Sequence, residues 1–132
     1  MQKFKDYFLK DNFAAANGIK LIECSPGNAK AEVTIEEKHL NGAGITHGGL
    51  LFTLADFAFA AAVNSFGFVT LSINAAVSYF AKSKQGKLVA EAKIISRSSK
   101  LITCDINIYD EKNELISNFK GTAYITKEKI NY

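Results

Sequence analysis

Apolar positions along this chain change their period, and the changes separate helical from strand-like stretches. Near the start, apolar side chains recur at helical spacing between Phe4 and Ala14, which predicts a short amphipathic helix over residues 3–16. A Ser-Pro-Gly-Asn turn then separates two apolar stretches. That arrangement predicts a hairpin with strands at residues 19–24 and 29–35.

A second helix is predicted at residues 48–65, and it is apolar on nearly every side. A helix without a polar face has to be surrounded by other elements. After it the alternation is that of strands, and Gly121 marks a bulge or a point of close packing in the last one. The four strands are predicted at residues 68–81, 87–96, 100–109 and 114–126.

The predicted order is a helix, a hairpin, a buried helix and then a long antiparallel meander. This order is typical of an α+β domain in which one sheet curls around one helix. The 132 residues suffice for one hydrophobic core, so a single domain over residues 1–132 is expected. The outer face of so small a sheet, and any exposed strand edge, is a natural place for a partner subunit.

The composition of the chain argues against several kinds of binding partner. The net charge is +3 and the lysines are scattered, so no nucleic-acid-binding arm is predicted. Cys24 and Cys104 fall on separate strand-like stretches, which predicts reduced thiols rather than a disulfide framework or a metal site. No secretory signal is visible, and the apolar stretch 50–63 is shorter than the roughly 20 residues that span a bilayer. We therefore expect a soluble, cytoplasmic protein with no membrane partner.

Asp56 is the only acidic or basic residue between Gly48 and Ala81. Burying a carboxylate costs several kcal/mol unless it has a partner or a role. Just upstream, residues 41–49 form a polar, glycine-rich run that leads directly into the apolar helix. A helix start offers unpaired N–H groups, and glycine lets a ligand approach them closely. The glycine-rich helix start therefore predicts an oxyanion-binding site. Asp56, further along the same helix, is predicted to have a pKa that is raised by its apolar surroundings.

The spacing Asn41…His47-Gly48-Gly49…Asp56, within this order of elements, resembles the hotdog-fold thioesterases. The phenylacetate-pathway, PaaI-like branch is the most similar, and the likeness covers nearly the whole chain. The resemblance implies a hotdog fold and hydrolysis of an acyl-CoA or aryl-acyl-CoA thioester. It further implies no metal, no cofactor, and a homo-oligomer that is a dimer or a dimer of dimers, that is, a homotetramer.

The resemblance also implies a role for each residue of this spacing. Asp56 would be the general base or the nucleophile, and the backbone N–H of Gly48 would hold the thioester carbonyl oxygen. Asn41 would position the water or the carbonyl, and His47 would support the geometry of the helix entry. The remaining histidine, His39, is a lone loop residue without partners at ligand spacing, so no metal site is predicted.

A serine on the strand after the helix contacts the acid or the water in related proteins. Ser72 is the nearest match in this chain, although Ser78 or Asn74 could take that place.

Substrate-binding roles are predicted for the backbone at Gly49 and for basic residues at strand ends. Arg97 and Lys100 are candidates to meet the phosphates of coenzyme A, as are Lys82 and Lys84. Solvated surface charge is the alternative explanation for each of these side chains.

Helix geometry adds a constraint on assembly. At 1.5 Å per residue, Asp56 lies roughly 12 Å along the helix from Gly48. One thioester carbonyl cannot touch both residues of the same helix. If both roles hold, Gly48 of one subunit works with Asp56 of another, and a monomer is inactive.

Each candidate also has a purely structural explanation. Asp56 could be hydrogen-bonded to a neighbouring loop, His47 could only cap the helix entry, and Asn41-Gly42 could be an ordinary turn. A non-catalytic acyl-CoA binding or sensing module on the same fold is the alternative function. Hydration or dehydration of acyl thioesters is a third, whose histidine-and-acid motif is not found in this sequence.

Overall fold

A computed structural model describes residues 2–132 of the chain. A 3-10 turn, Glu37–His39, lies in the loop before the central helix. The helices and strands are α1 (Gln2–Phe8), α2 (Asn12–Ala16), β1 (Lys20–Ser25), β2 (Asn28–Thr34), α3 (Gly48–Asn64), β3 (Phe68–Tyr79), β4 (Lys87–Arg97), β5 (Leu101–Tyr109) and β6 (Leu115–Lys129). None of the helices within residues 2–132 is long and apolar enough to cross a membrane.

The N-terminal helix predicted over residues 3–16 is in fact two helices. Asp11 separates them, because its carboxylate accepts a 2.9 Å hydrogen bond from the N–H of Ala14 and caps α2. Aspartate favours starting a new helix at this position over continuing the previous one. The break leaves Phe8 and Ala14 buried and Phe13 exposed.

The six strands form one antiparallel sheet in the order β1-β2-β4-β5-β6-β3. The predicted meander is correct for β4, β5 and β6 but wrong for β3, which pairs with β6 at the far edge. The chain reaches that edge because α3 crosses the sheet between β2 and β3. The strand that follows the central helix is therefore an edge strand, with one side free of any partner within residues 2–132.

The sheet wraps around α3, as the apolar pattern predicts. Gly121 of β6 lies against the helix, and a Cβ at this position would lie 2.8 Å from the ring of Phe59. The prediction of close packing at Gly121 is therefore confirmed. Glycine is needed here because any side chain would push the helix off the sheet.

One stripe of α3 is only partly covered by the sheet, since the Phe52 ring on it lies 5.3 Å from the ring of Phe119 in β6. We call it the outer stripe: Gly49, Phe52, Thr53 and Asp56, which follow one another at helical spacing and are each half-buried or exposed. The β1 side of the molecule carries α2, and the opposite edge of the sheet is β3. Asp56 thus lies on a side of its helix that the sheet does not fully cover.

Candidate active site

The N-terminal end of α3 is capped by His47. Its Nδ1 accepts a 2.7 Å hydrogen bond from the N–H of Gly49, and its own N–H donates to the carbonyl of His39 at 2.8 Å. A Cβ at Gly49 would lie 2.8 Å from this Nδ1, so the cap requires glycine there. His47 therefore caps the start of α3, and Gly49 is the residue that this cap needs.

The N–H of Gly48 donates to no partner within residues 2–132, whereas that of Gly49 is taken by His47. Gly48 is thus a first-turn donor that is open to a ligand, at the positive end of the helix dipole. Tyr79 lies over it: the phenol O–H donates to the Gly48 carbonyl at 3.2 Å, and a Cβ at Gly48 would lie 3.3 Å from the ring.

Tyr79 was missed by sequence reasoning. It ends β3, thirty-one positions after Gly48, and nothing in its local pattern links it to the helix start. Only the pairing of β3 with the far side of β6 places it there.

The Asn41 side chain closes the glycine-rich loop. Its Oδ1 accepts hydrogen bonds from the N–H groups of Ala43 at 2.9 Å and Ile45 at 3.3 Å. The side-chain oxygen of Asn41 therefore has the structural role of an ordinary turn residue. Because the oxygen is occupied, what Asn41 can offer a ligand is its amide nitrogen, which can act only as a donor.

Asp56 is half-buried on the outer stripe. Loss of solvation raises the pKa of its carboxyl above the ordinary value, and the negative charge of Asp11 adds to the shift. No hydrogen bond to the carboxylate lowers that pKa within the described residues. The structural explanation of Asp56 thus lacks the loop contact it needs, whereas a raised pKa suits proton transfer.

A bulge in β3 separates the three candidates for the supporting polar residue. Ser72 pairs with Ala123, which is buried on the sheet face that packs α3, but the register shifts between Ser72 and Asn74. Asn74 and Ser78 consequently lie on the opposite face of the sheet. Of the three, only Ser72 lies on the helix side.

Two clefts lie beside the start of α3. The β3-side cleft has a volume of about 330 Å³, and the α2-side cleft has a volume of about 430 Å³. The first is lined by Asn41, Gly48, Leu51, Tyr79, Phe80 and Lys82, with others. The second is lined by Phe13, His39, His47, Gly49, Leu50 and Phe52, with others.

Arg97 and Lys100 lie far from the helix start within one chain. The guanidinium of Arg97 stacks 3.7 Å from the ring centre of Phe66, just after the C-terminal end of α3. The helix has 17 residues, so about 25 Å separates this end from Gly48. Lys100 follows in the β4–β5 turn. Lys82 lines the β3-side cleft together with Gly48, and the sequence indicated it only by its position at a strand end.

A single curved antiparallel sheet wrapped around one central helix is the hotdog fold, as predicted. The model of the thioesterase superfamily matches residues 43–117, more than half of the chain. The chain belongs to the thioesterase superfamily, a family of thioester hydrolases.

Individual relatives agree with this assignment. A protein of Archaeoglobus fulgidus is 38% identical over 130 residues, which cover 97% of this chain and 84% of that protein. The acyl-coenzyme A thioesterase PaaI of Escherichia coli is 31% identical over 115 residues, 86% of this chain and 82% of PaaI. The solved structure of E. coli PaaI has a TM-score of 0.90 at 28% identity and covers 96% of this chain and 94% of that one. The resemblance to the PaaI-like branch is therefore confirmed.

Proposed function

We propose that this protein hydrolyses an acyl-CoA thioester to a free acid and coenzyme A. The observation that carries the proposal is the N–H of Gly48, which has no partner within residues 2–132 and lies at a cleft beside the start of the helix that bears Asp56. Membership of the thioesterase superfamily supplies the reaction class, and the name of the E. coli relative supplies the coenzyme.

In this reaction the thioester carbonyl oxygen accepts a hydrogen bond from Gly48. A water molecule, deprotonated by Asp56, attacks the carbonyl carbon, and the carbon–sulfur bond then breaks. The proton passes from Asp56 to the departing sulfur. One such oxyanion donor is typically worth about 10² to 10³ in rate. Direct attack by the Asp56 carboxylate, followed by hydrolysis of the anhydride, uses the same groups.

Turnover of a panel of acyl-CoA thioesters tests the reaction class. We expect release of free coenzyme A thiol, measured with a thiol reagent, from at least one aliphatic or aryl-acyl thioester. Tight binding of the panel without any thiol release would favour the alternative, a non-catalytic acyl-CoA binding or sensing module.

The two groups reach one carbonyl only across a subunit interface, because they lie about 12 Å apart along α3. The edge of β3, free within residues 2–132, and the partly exposed outer stripe give a second copy of the chain a place to pack. A two-fold axis that sets Gly48 of one helix opposite Asp56 of the other also sets residue 52 opposite its own copy. Phe52, 39% exposed on the outer stripe, is therefore expected at the axis.

Thiol cross-linking at residue 52 tests this arrangement without an activity assay. We expect the Phe52→Cys variant to form covalent dimers, either by oxidation or with a short bifunctional thiol reagent. Facing helices bring opposed Cα atoms close to the 4.4–6.8 Å typical of disulfides. The native thiols of Cys24 and Cys104 are buried, so they should not compete. Non-reducing electrophoresis gives the yield.

Ala60→Cys is the matched control, about two turns further along α3 and, like Phe52, not fully buried. In the proposed pairing residue 60 lies opposite residue 44, not opposite itself, so this variant should remain monomeric on the gel. Equal cross-linking at both positions, or none at residue 52, would contradict the proposed interface.

A further inference from the structure

The two clefts at the start of α3 are lined by two adjacent helix residues that have no side chain. Gly48 lines the β3-side cleft, and the next residue, Gly49, lines the α2-side cleft. A carbonyl group held at Gly48 therefore has one cleft on each side of it. A thioester has two substituents on that carbonyl, the acyl group and the sulfur of the thiol arm, and each needs a place.

The β3-side cleft is the more suitable place for a polar, anionic arm. Lys82 is exposed there and has no ion-pair partner within residues 2–132. Its charge is therefore free to meet an anionic group such as a phosphate of coenzyme A.

Within residues 2–132, the α2-side cleft offers no such free lysine. Its one lysine, Lys38, is already engaged: its Nζ lies 3.7 Å from the Glu36 carboxylate and donates to the Ala16 carbonyl at 2.9 Å. A large apolar side chain, Phe13, is 67% exposed in the same cleft. Such surface is stabilised when an apolar group covers it.

We propose that the α2-side cleft holds the acyl group of the thioester and that Phe13 determines which acyl groups fit. This inference rests on the proposed function. The volume of about 430 Å³ lies within the range of small-molecule sites and exceeds what an acetyl group needs. The separate helix α2, which exists because Asp11 caps it, is what places Phe13 at this cleft.

Binding of non-hydrolysable thioether analogues of acyl-CoA tests the proposal independently of turnover. The probes are coenzyme A carrying a phenyl-terminated group and coenzyme A carrying a two-carbon group. Calorimetry should show that Phe13→Ala weakens binding of the phenyl probe about tenfold, because an aromatic contact is lost, and changes the two-carbon probe less than about twofold.

Leu9→Ala is the matched control. Leu9 is 73% exposed on the same N-terminal segment but does not line the α2-side cleft. This variant should bind both probes like the wild type. Phe13→Trp, which fills the cleft, should also reject the phenyl probe while keeping the short one, so the test does not depend on one variant. The mass of each variant in solution shows that the assembly is unchanged.

Equal effects of Phe13→Ala on both probes, or equal effects of Phe13→Ala and Leu9→Ala, would overturn the assignment of the acyl site. Failure of the proposed function has a different signature. In that case the wild type binds the analogues but releases no thiol from the matching thioesters.

Discussion

Asp56→Asn should lower the rate of thioester hydrolysis about a thousandfold while the fold and the assembly stay intact. An amide has nearly the shape of the carboxyl group but can neither accept the proton of water nor attack the carbonyl. General-base catalysis is typically worth about 10² to 10⁴ in rate. The measurement is kcat on the best thioester of the panel. Wild-type turnover in this variant would remove Asp56 from the mechanism.

The same variant should lose no thermal stability at neutral pH. In the wild type the pKa of the Asp56 carboxyl is raised in the folded state, so the folded protein binds this proton more tightly than the unfolded chain does. The carboxyl therefore favours folding at low pH, and that contribution is lost as pH rises through the raised pKa. Replacing the ionised group by an uncharged amide should leave Tm equal or higher. A marked fall in Tm would instead indicate a structural acid.

Asp11→Asn is the control for the kcat and Tm measurements on Asp56→Asn. Asparagine caps a helix about as well as aspartate, so α2 should persist. The change removes the charge that adds to the raised pKa of Asp56, yet it leaves Asp56 in place. We expect hydrolysis to continue, with the acid side of the rate profile moved to lower pH.

Features that depend on local pattern were predictable from the sequence. The apolar run bounded by glycines and by Phe66-Gly67 predicted the central helix nearly to the residue, because helix periodicity and its stop signals are local. The direction of the Asp56 pKa shift followed in the same way, since an acid in an apolar helix is desolvated wherever that helix packs.

Features that depend on distant pairing were not predictable. The position of β3 beside β6 is decided by the path of α3 across the sheet, which leaves no local signal. Tyr79 over Gly48 follows from that pairing. The bulge after Ser72 likewise decides which polar residue of β3 turns towards the helix, and alternation alone put Ser72, Asn74 and Ser78 on one face.

Mixing two inactive chains should restore activity if the site is shared between subunits. One chain carries Gly48→Pro and the other carries Asp56→Ala. Proline removes the N–H of Gly48 without disturbing the helix, because the first helical position tolerates it. His47 already has the extended backbone that a following proline requires, with φ −62° and ψ 135°. The Tyr79 ring, 3.3 Å from the added Cβ, must move by only a few tenths of an ångström.

Random reassembly makes half of the dimers mixed, and each mixed dimer has one site with both groups intact. We therefore expect about a quarter of wild-type activity from an equal mixture, and almost none from either chain alone. The control mixes the Gly48→Pro chain with a chain that carries both changes, in which no pairing yields an intact site. Mixed dimers that are proven by mass yet remain inactive would show that Gly48 and Asp56 do not act on one substrate across the interface. Restoration would mean that catalysis, and not only stability, depends on association of the subunits.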